Sequence, residues 1–159
     1  MKYIKDEKEL KETEFYMELA AKEAEKSTCK KSQRGVILVR EGRVVGRGYN
    51  KVTIENPCNP CVREEIKDNS RVELCSAVHA EQLAIIDAAN KGEILRGARM
   101  YHIKIKKGKV MPCEDLSCTV CSRIICEAGI EFVLLHKSGY AVYEPEELNE
   151  LSFDYFLGK

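Results

Sequence analysis

Two short stretches, His79-Ala80-Glu81 and Cys118-Thr119-Val120-Cys121, constrain this chain more than anything else in it. The first offers an imidazole and a carboxylate two residues apart. The second offers two thiols at i and i+3, which share one face if the segment is helical. One imidazole and two thiolates are ligands of the kind zinc accepts, and a catalytic zinc takes three protein ligands and leaves a fourth position for water. Glu81 then stands beside the metal and not on it. Alone, a histidine at a helix start is ordinarily a packing residue, and the paired thiols overturn that reading. Any fold of the chain has to bring the two stretches to one point.

The patterning around them supplies the elements. Residues 8–26 read as a helix with Leu10, Phe15 and Leu19 at helical spacing. Gly35 to Val39 and Val44 to Tyr49 read as two strands about a glycine-containing turn. Asn50 ends the second strand, where an asparagine is usually a turn residue. Residues 51–76 form a long connection, and connections of that length are uncommon unless they have a function. Residues 77–91 read as a helix closed by Lys91-Gly92, so His79 and Glu81 fall in its first turn, where backbone N–H groups lack helical partners. A strand over 98–106, a loop over 108–117, a helix over 118–128 stopped by Gly129, and a strand over 130–135 follow. Residues 140–143 read as a last strand and 145–151 as a short helix that starts at a proline. Strand–helix–strand units imply parallel neighbours and right-handed crossovers, so the expected architecture is a layered α/β/α sheet.

With Ser27-Thr28-Cys29, Gly48-Tyr49-Asn50 and Ala128-Gly129-Ile130, the two motifs make the chain resemble the cytidine and deoxycytidylate deaminase superfamily, most closely its deoxycytidylate-type branch. The resemblance covers roughly residues 13–136. The chain departs from the family pattern in three places: Ser117 stands where the motif has proline before the first cysteine, Leu83 stands where deoxycytidylate-type relatives usually have asparagine, and residues 51–57 lack the Gly-x-Pro that follows Gly-Tyr-Asn in the family. The resemblance implies a three-layer α/β/α sandwich around a mixed, mostly five-stranded sheet, in a single domain over 1–159 with a C-terminal extension at 137–159. It implies zinc on His79, Cys118 and Cys121, with Glu81 as the catalytic proton carrier. It further implies that Asn50 reaches a nucleoside sugar, that backbone at Ala80 holds a ring carbonyl, and that the protein assembles as a homo-oligomer, dimer to hexamer. The expected activity is hydrolytic deamination of a cytosine nucleotide or nucleoside, of the dCMP type, with release of ammonia. The alternatives are a deaminase of another aminated base (guanine, tRNA adenine or a riboflavin-pathway pyrimidine) and a non-catalytic zinc-stabilised module. Glu81 counts against the module, because a structural zinc has no use for it.

The chain has eight cysteines. Cys58-x-x-Cys61 with Cys75 after it has the spacing of a second, structural zinc site, for which Cys113 or His102 is a candidate fourth ligand. Free thiols or a disulfide are the plainer reading. The net charge is zero, which argues against a long polynucleotide as substrate, although a small anion needs only one or two cations such as Lys51 or Arg63. No apolar run is long enough to cross a bilayer, and charge begins at Lys2, unlike a signal peptide, so a cytoplasmic location is expected.

Overall fold

The computed structural model describes residues 1–158 apart from 55–57, 59 and 67–70, and for Phe156 the backbone only. A short strand β1 (Lys2–Tyr3) leads into α1 (Glu7–Ala24). Asp6 caps α1 by accepting the Glu9 N–H at 2.9 Å, with Glu7 and Glu9 in the first turn, where carboxylates favour the helix dipole. The hairpin β2 (Gln33–Arg40) and β3 (Arg43–Tyr49) comes next. Then come the ribbon strands β4 (Lys51–Val52) and β5 (Ala77–Val78), α2 (Ala80–Asn90), β6 (Arg99–Lys106) and β7 (Lys109–Met111). The chain closes with α3 (Thr119–Ala128), β8 (Glu131–His136), β9 (Gly139–Tyr143) and α4 (Pro145–Leu157).

One mixed seven-stranded sheet runs β3-β2-β6-β8-β9-β1, with β7 paired to the far end of β6. Only β6 and β8 pair in parallel, joined through α3; every other pairing is antiparallel. Side chains alternate across the sheet with period two. Ile37, Val39, Tyr101, Ile103 and Val133 face α1. Val36, Leu38, Met100, Phe132 and Leu134 face α2, α3 and α4. The expected three layers are therefore present. The five long strands are those read from the pattern; β1 and β7, with two and three residues, are too short to carry a period.

Two boundaries differ in ways that bear on function. The helix expected over 77–91 begins at Ala80, because Ala77 and Val78 pair with Val52 and Lys51. That ribbon ties together the ends of the long connection and leaves His79 as the N-cap of α2. The final helix runs on to Leu157 instead of stopping near 151, and ends at Gly158 with φ 67°. Among the described residues, no helix is long and apolar enough to cross a membrane.

A candidate zinc-type active site

The position of α2 is set by glycine. A Cβ on Gly48 of β3 would lie 2.2 Å from the Ala80 carbonyl oxygen and 2.5 Å from the Ala84 nitrogen. Bare backbone at Gly48 thus allows the first turn of α2 to lie against the sheet, with Ala80, Ala84 and Ala88 as the buried face. The N-terminus of α3 meets it there. Cys118 is the N-cap of α3, as His79 is of α2. Each cap carbonyl accepts the first helical bond, from Leu83 and Ser122. Two helix N-termini converge on one spot, and their partial positive charge favours thiolate there.

The ligand-type atoms gather at that spot. His79 Nδ1 lies 3.5 Å from Cys118 Sγ and 3.3 Å from Cys121 Sγ. Nitrogen and sulfur ligands arranged tetrahedrally at usual zinc bond lengths sit about 3.5 Å apart. The donor set and its spacing therefore fit zinc. All three ligand atoms lie within 4.8 Å of one another, and all three residues are buried or nearly so. A hydrogen bond from Cys121 draws the Cys118 thiol down to about 5, while the Cys121 thiol is pushed up by the same contact. Hydrogen bonding to Cys118, then to Cys75, pushes His79 up to about 10. The His79 N–H is held by Gln82 Oε1 at 3.0 Å, which fixes the cap.

Glu81 points into the same space, buried, with Oε1 accepting the Ser117 hydroxyl at 2.9 Å. Burial acts to raise its carboxyl, but His102 and then His79, with hydrogen bonds, draw it below the ordinary carboxylate value. His102 is itself driven down to about 4 by burial, so it is neutral at pH 7 and attracts Glu81 only in acid. It stacks on Phe132 with ring centroids 5.5 Å apart.

These groups open onto a cavity of about 300 Å³. Asn50 and Ala80 line it. The Asn50 amide, however, is largely used in the fold: its oxygen accepts the Arg34 N–H and its nitrogen donates to the Ser32 carbonyl, both at 2.8 Å. Four lining cations, Lys31, Arg34, Lys104 and Lys106, are not singled out by the sequence, and two of them bear on the site. Arg34 and Lys104 stand directly opposite each other on β2 and β6, on the face that carries Val36 and His102. The signal was available, since His102 and Lys104 are polar residues on the inward-facing positions of a strand otherwise buried on both faces. Of the two loop cations considered, Arg63 lines the cavity, whereas Lys51 is exposed in β4 and is not among the lining residues.

The remaining thiols behave differently. All eight cysteines are free. Among the described residues, Cys58, Cys61 and Cys75 do not form a ligand group within 4.8 Å of one another. Cys58 and Cys61 pair by backbone, and Cys75 turns toward His79, whose hydrogen bond lowers its thiol. Cys113 is buried against the Arg34 guanidinium at 3.1 Å.

Comparison with known proteins agrees with this geometry. The sequence model of the cytidine and deoxycytidylate deaminase zinc-binding region matches residues 10–137. The deoxycytidylate deaminase of Saccharomyces cerevisiae is 30% identical over 127 residues, covering 78% of this chain and 37% of the yeast protein. The chain thus spans little more than a third of the length of its fungal relatives, that of Schizosaccharomyces pombe included. The deoxycytidylate deaminase of Mycobacterium phage D29 is 30% identical over 132 residues, and there the match covers 78% of this chain and 93% of the phage protein. In three dimensions the chain is similar to the dCMP deaminase of cyanophage S-TIM5, crystallised with dCMP and dUMP. The TM-score is 0.55 at 26% identity, over 81% of this chain and 80% of that one.

Proposed function

This chain belongs to the cytidine and deoxycytidylate deaminase zinc-binding family, and on that premise we propose that it hydrolytically deaminates a cytosine nucleotide of the dCMP type to the uracil form. The observation that carries the proposal is the buried carboxylate of Glu81 set beside, and not within, the His79–Cys118–Cys121 group. Those three residues would hold zinc, which when bound supplies the Lewis acidity that makes water easy to deprotonate near neutral pH.

Glu81 carries the protons. It accepts one proton from water and delivers it to ring N3 of the cytosine, then takes the second from the hydroxyl now on C4 and gives it to the departing amine, which leaves as ammonia. A carboxylate suits the role because it serves first as base and then as acid. Burial keeps bulk water from competing for those protons. The Ala80 N–H, at the first position of α2, is suited to the ring carbonyl. The Asn50 amide keeps one N–H and one lone pair for the sugar.

Arg34 and Lys104 support a substrate that carries a phosphate. Like charges directly opposite across a strand pair repel, and a 5′-phosphate between them would offset that repulsion. Asp115 lies 3.8 Å from the Lys104 ammonium, too exposed a partner to do so fully. A homo-oligomer in the cytoplasm completes the reading, with zinc at this one site and the thiols of Cys58, Cys61 and Cys75 uncommitted. Metal analysis separates that from a second, structural zinc on those thiols: about one zinc per chain against about two.

The test is ammonia release from dCMP, CMP, deoxycytidine, cytidine, cytosine, guanine and adenosine. Release from dCMP well above deoxycytidine is expected. No release from any cytosine compound by the zinc-loaded protein refutes the proposal.

A further inference from the structure

We propose that Ser117 is a positioning residue for Glu81, and that Ser152 of the C-terminal helix fixes Ser117 in turn. The inference rests on the role proposed for Glu81. Ser117 Oγ donates to Glu81 Oε1 at 2.9 Å, and Ser152 Oγ donates to the Ser117 carbonyl at 2.8 Å. All three residues are buried: Glu81 is 6% exposed, Ser117 5% and Ser152 1%. The chain of contacts therefore runs from α4 to the carboxylate without passing through solvent.

The chemistry of the position is specific. The family motif has proline before the first cysteine, and proline has no hydroxyl. This chain departs from the motif at the one side chain, among the described residues, that hydrogen-bonds to the Glu81 carboxylate. The hydroxyl acts with the Glu81 backbone N–H, which also hydrogen-bonds to the carboxylate, to hold it in one orientation. The hydroxyl, being neutral, does this without adding a charge beside the metal ligands.

Ser117 lies at the end of the irregular stretch after β7, so its own backbone needs an anchor. Ser152 provides one, and α4 is held on α3 nearby by the Ser122 hydroxyl on Asn149 Oδ1 at 3.1 Å and by the buried Leu148. Helix α4 thus reaches the Glu81 carboxylate through two hydroxyls.

The experiment compares Ser117→Ala, Ser117→Thr and Ser152→Ala as zinc-loaded full-length proteins, with dCMP as substrate. Losing a buried hydrogen bond to a charged group predicts that Ser117→Ala lowers kcat about 10- to 100-fold. KM should stay within about twofold, and because the Ser117 hydroxyl also hydrogen-bonds to the Cys121 thiol, kcat is compared at equal, full zinc loading confirmed by metal analysis. Ser117→Thr keeps the hydroxyl and should recover most of kcat. Ser152→Ala should lower kcat about 3- to 10-fold at unchanged KM, and it decides the matter if Ser117→Ala does not fold. Parental kcat in Ser117→Ala, or a loss that Thr does not recover, overturns the inference. A double-mutant cycle of Ser117→Ala with Glu81→Ala, which removes the acceptor, in urea unfolding reads the contact without turnover. Coupling of about fivefold or more in the unfolding constant is expected, and additivity overturns it. If the parent protein deaminates nothing, the activity proposal fails while the cycle still judges this one.

Discussion

Gly48→Ala tests whether close approach of α2 to the sheet builds the metal site. The added Cβ would sit 2.2 Å from the Ala80 carbonyl oxygen, 2.5 Å from the Ala84 nitrogen and 3.0 Å from the Ala84 Cβ. Ordinary contact begins near 3.4 Å, so the first turn of α2 must retreat by about 1 Å. Both close atoms are helix backbone, which cannot rotate away as a side chain can. Overpacking of this kind costs about 1–3 kcal/mol. The retreat also carries His79 and Glu81 away from Cys118 and Cys121, which sit on a different helix and do not follow. Displacements of about 1 Å in a reacting group cost about 100-fold in rate, and zinc affinity should fall with the same mismatch. The control is Gly92→Ala, where a Cβ meets nothing within 4 Å but φ is +71°; it should cost about 1 kcal/mol and leave zinc affinity alone. Urea unfolding gives the stability, and zinc titration against a chromogenic chelator gives the affinity. Gly48→Ala with parental zinc affinity would falsify the claim that this contact aligns the ligands.

Glu81→Gln should keep zinc and lose about 100- to 10,000-fold in kcat, read by metal analysis and ammonia release. Arg34→Gln or Lys104→Gln should raise KM for dCMP about tenfold or more and leave deoxycytidine kinetics unchanged; equal effects on both substrates would remove the phosphate role. His102 makes stability pH-dependent. Its imidazole is about 4 in the folded chain against 6.5 unfolded, so between those values the unfolded chain binds more protons and acid destabilises the fold. The loss begins as pH falls below about 6.5 and reaches about 3 kcal/mol by pH 4. Glu81, Arg34, His79 and Lys104 face His102, so the clean reading is the difference between the parent and His102→Leu in urea unfolding at pH 7 and pH 4.5. An unchanged difference would mean that the imidazole is hydrated.

The fold was legible where segments were long enough to repeat. β2, β6 and β8 alternate between two buried faces, and α3 declares its stop through Gly129. Their order then permitted few topologies. What could not be read was pairing without period. β1 exists because Lys2 and Tyr3 lie beside Val142 and Ala141, and β5 because Ala77 and Val78 find Val52 and Lys51 across the whole long connection. Neither pair has a local signature. The consequence is largest at β5, since two extended residues there convert the first turn expected of a helix into a strand followed by a cap.

The candidate site divides along a similar line. His79, Glu81, Cys118 and Cys121 could be singled out because metal chemistry restricts both residue type and spacing. Asn50 could be singled out only by resemblance, and two of its amide contacts go to Arg34 and Ser32 backbone. An asparagine at a strand end serves the turn first, and whatever it offers a sugar is what remains. Arg34, Lys104 and Ser117 depend instead on which neighbours a register supplies. Arg34 faces Lys104 only because β2 and β6 pair antiparallel with those residues opposed, and a slip of one residue would put the two on opposite faces of the sheet. Ser117 reaches Glu81 only because α2 and α3 start at one point. Groups of this second kind adjust a site whose donor set is restricted by chemistry, so the sequence that points to zinc leaves Arg34, Lys104 and Ser117 to be found in the folded sheet.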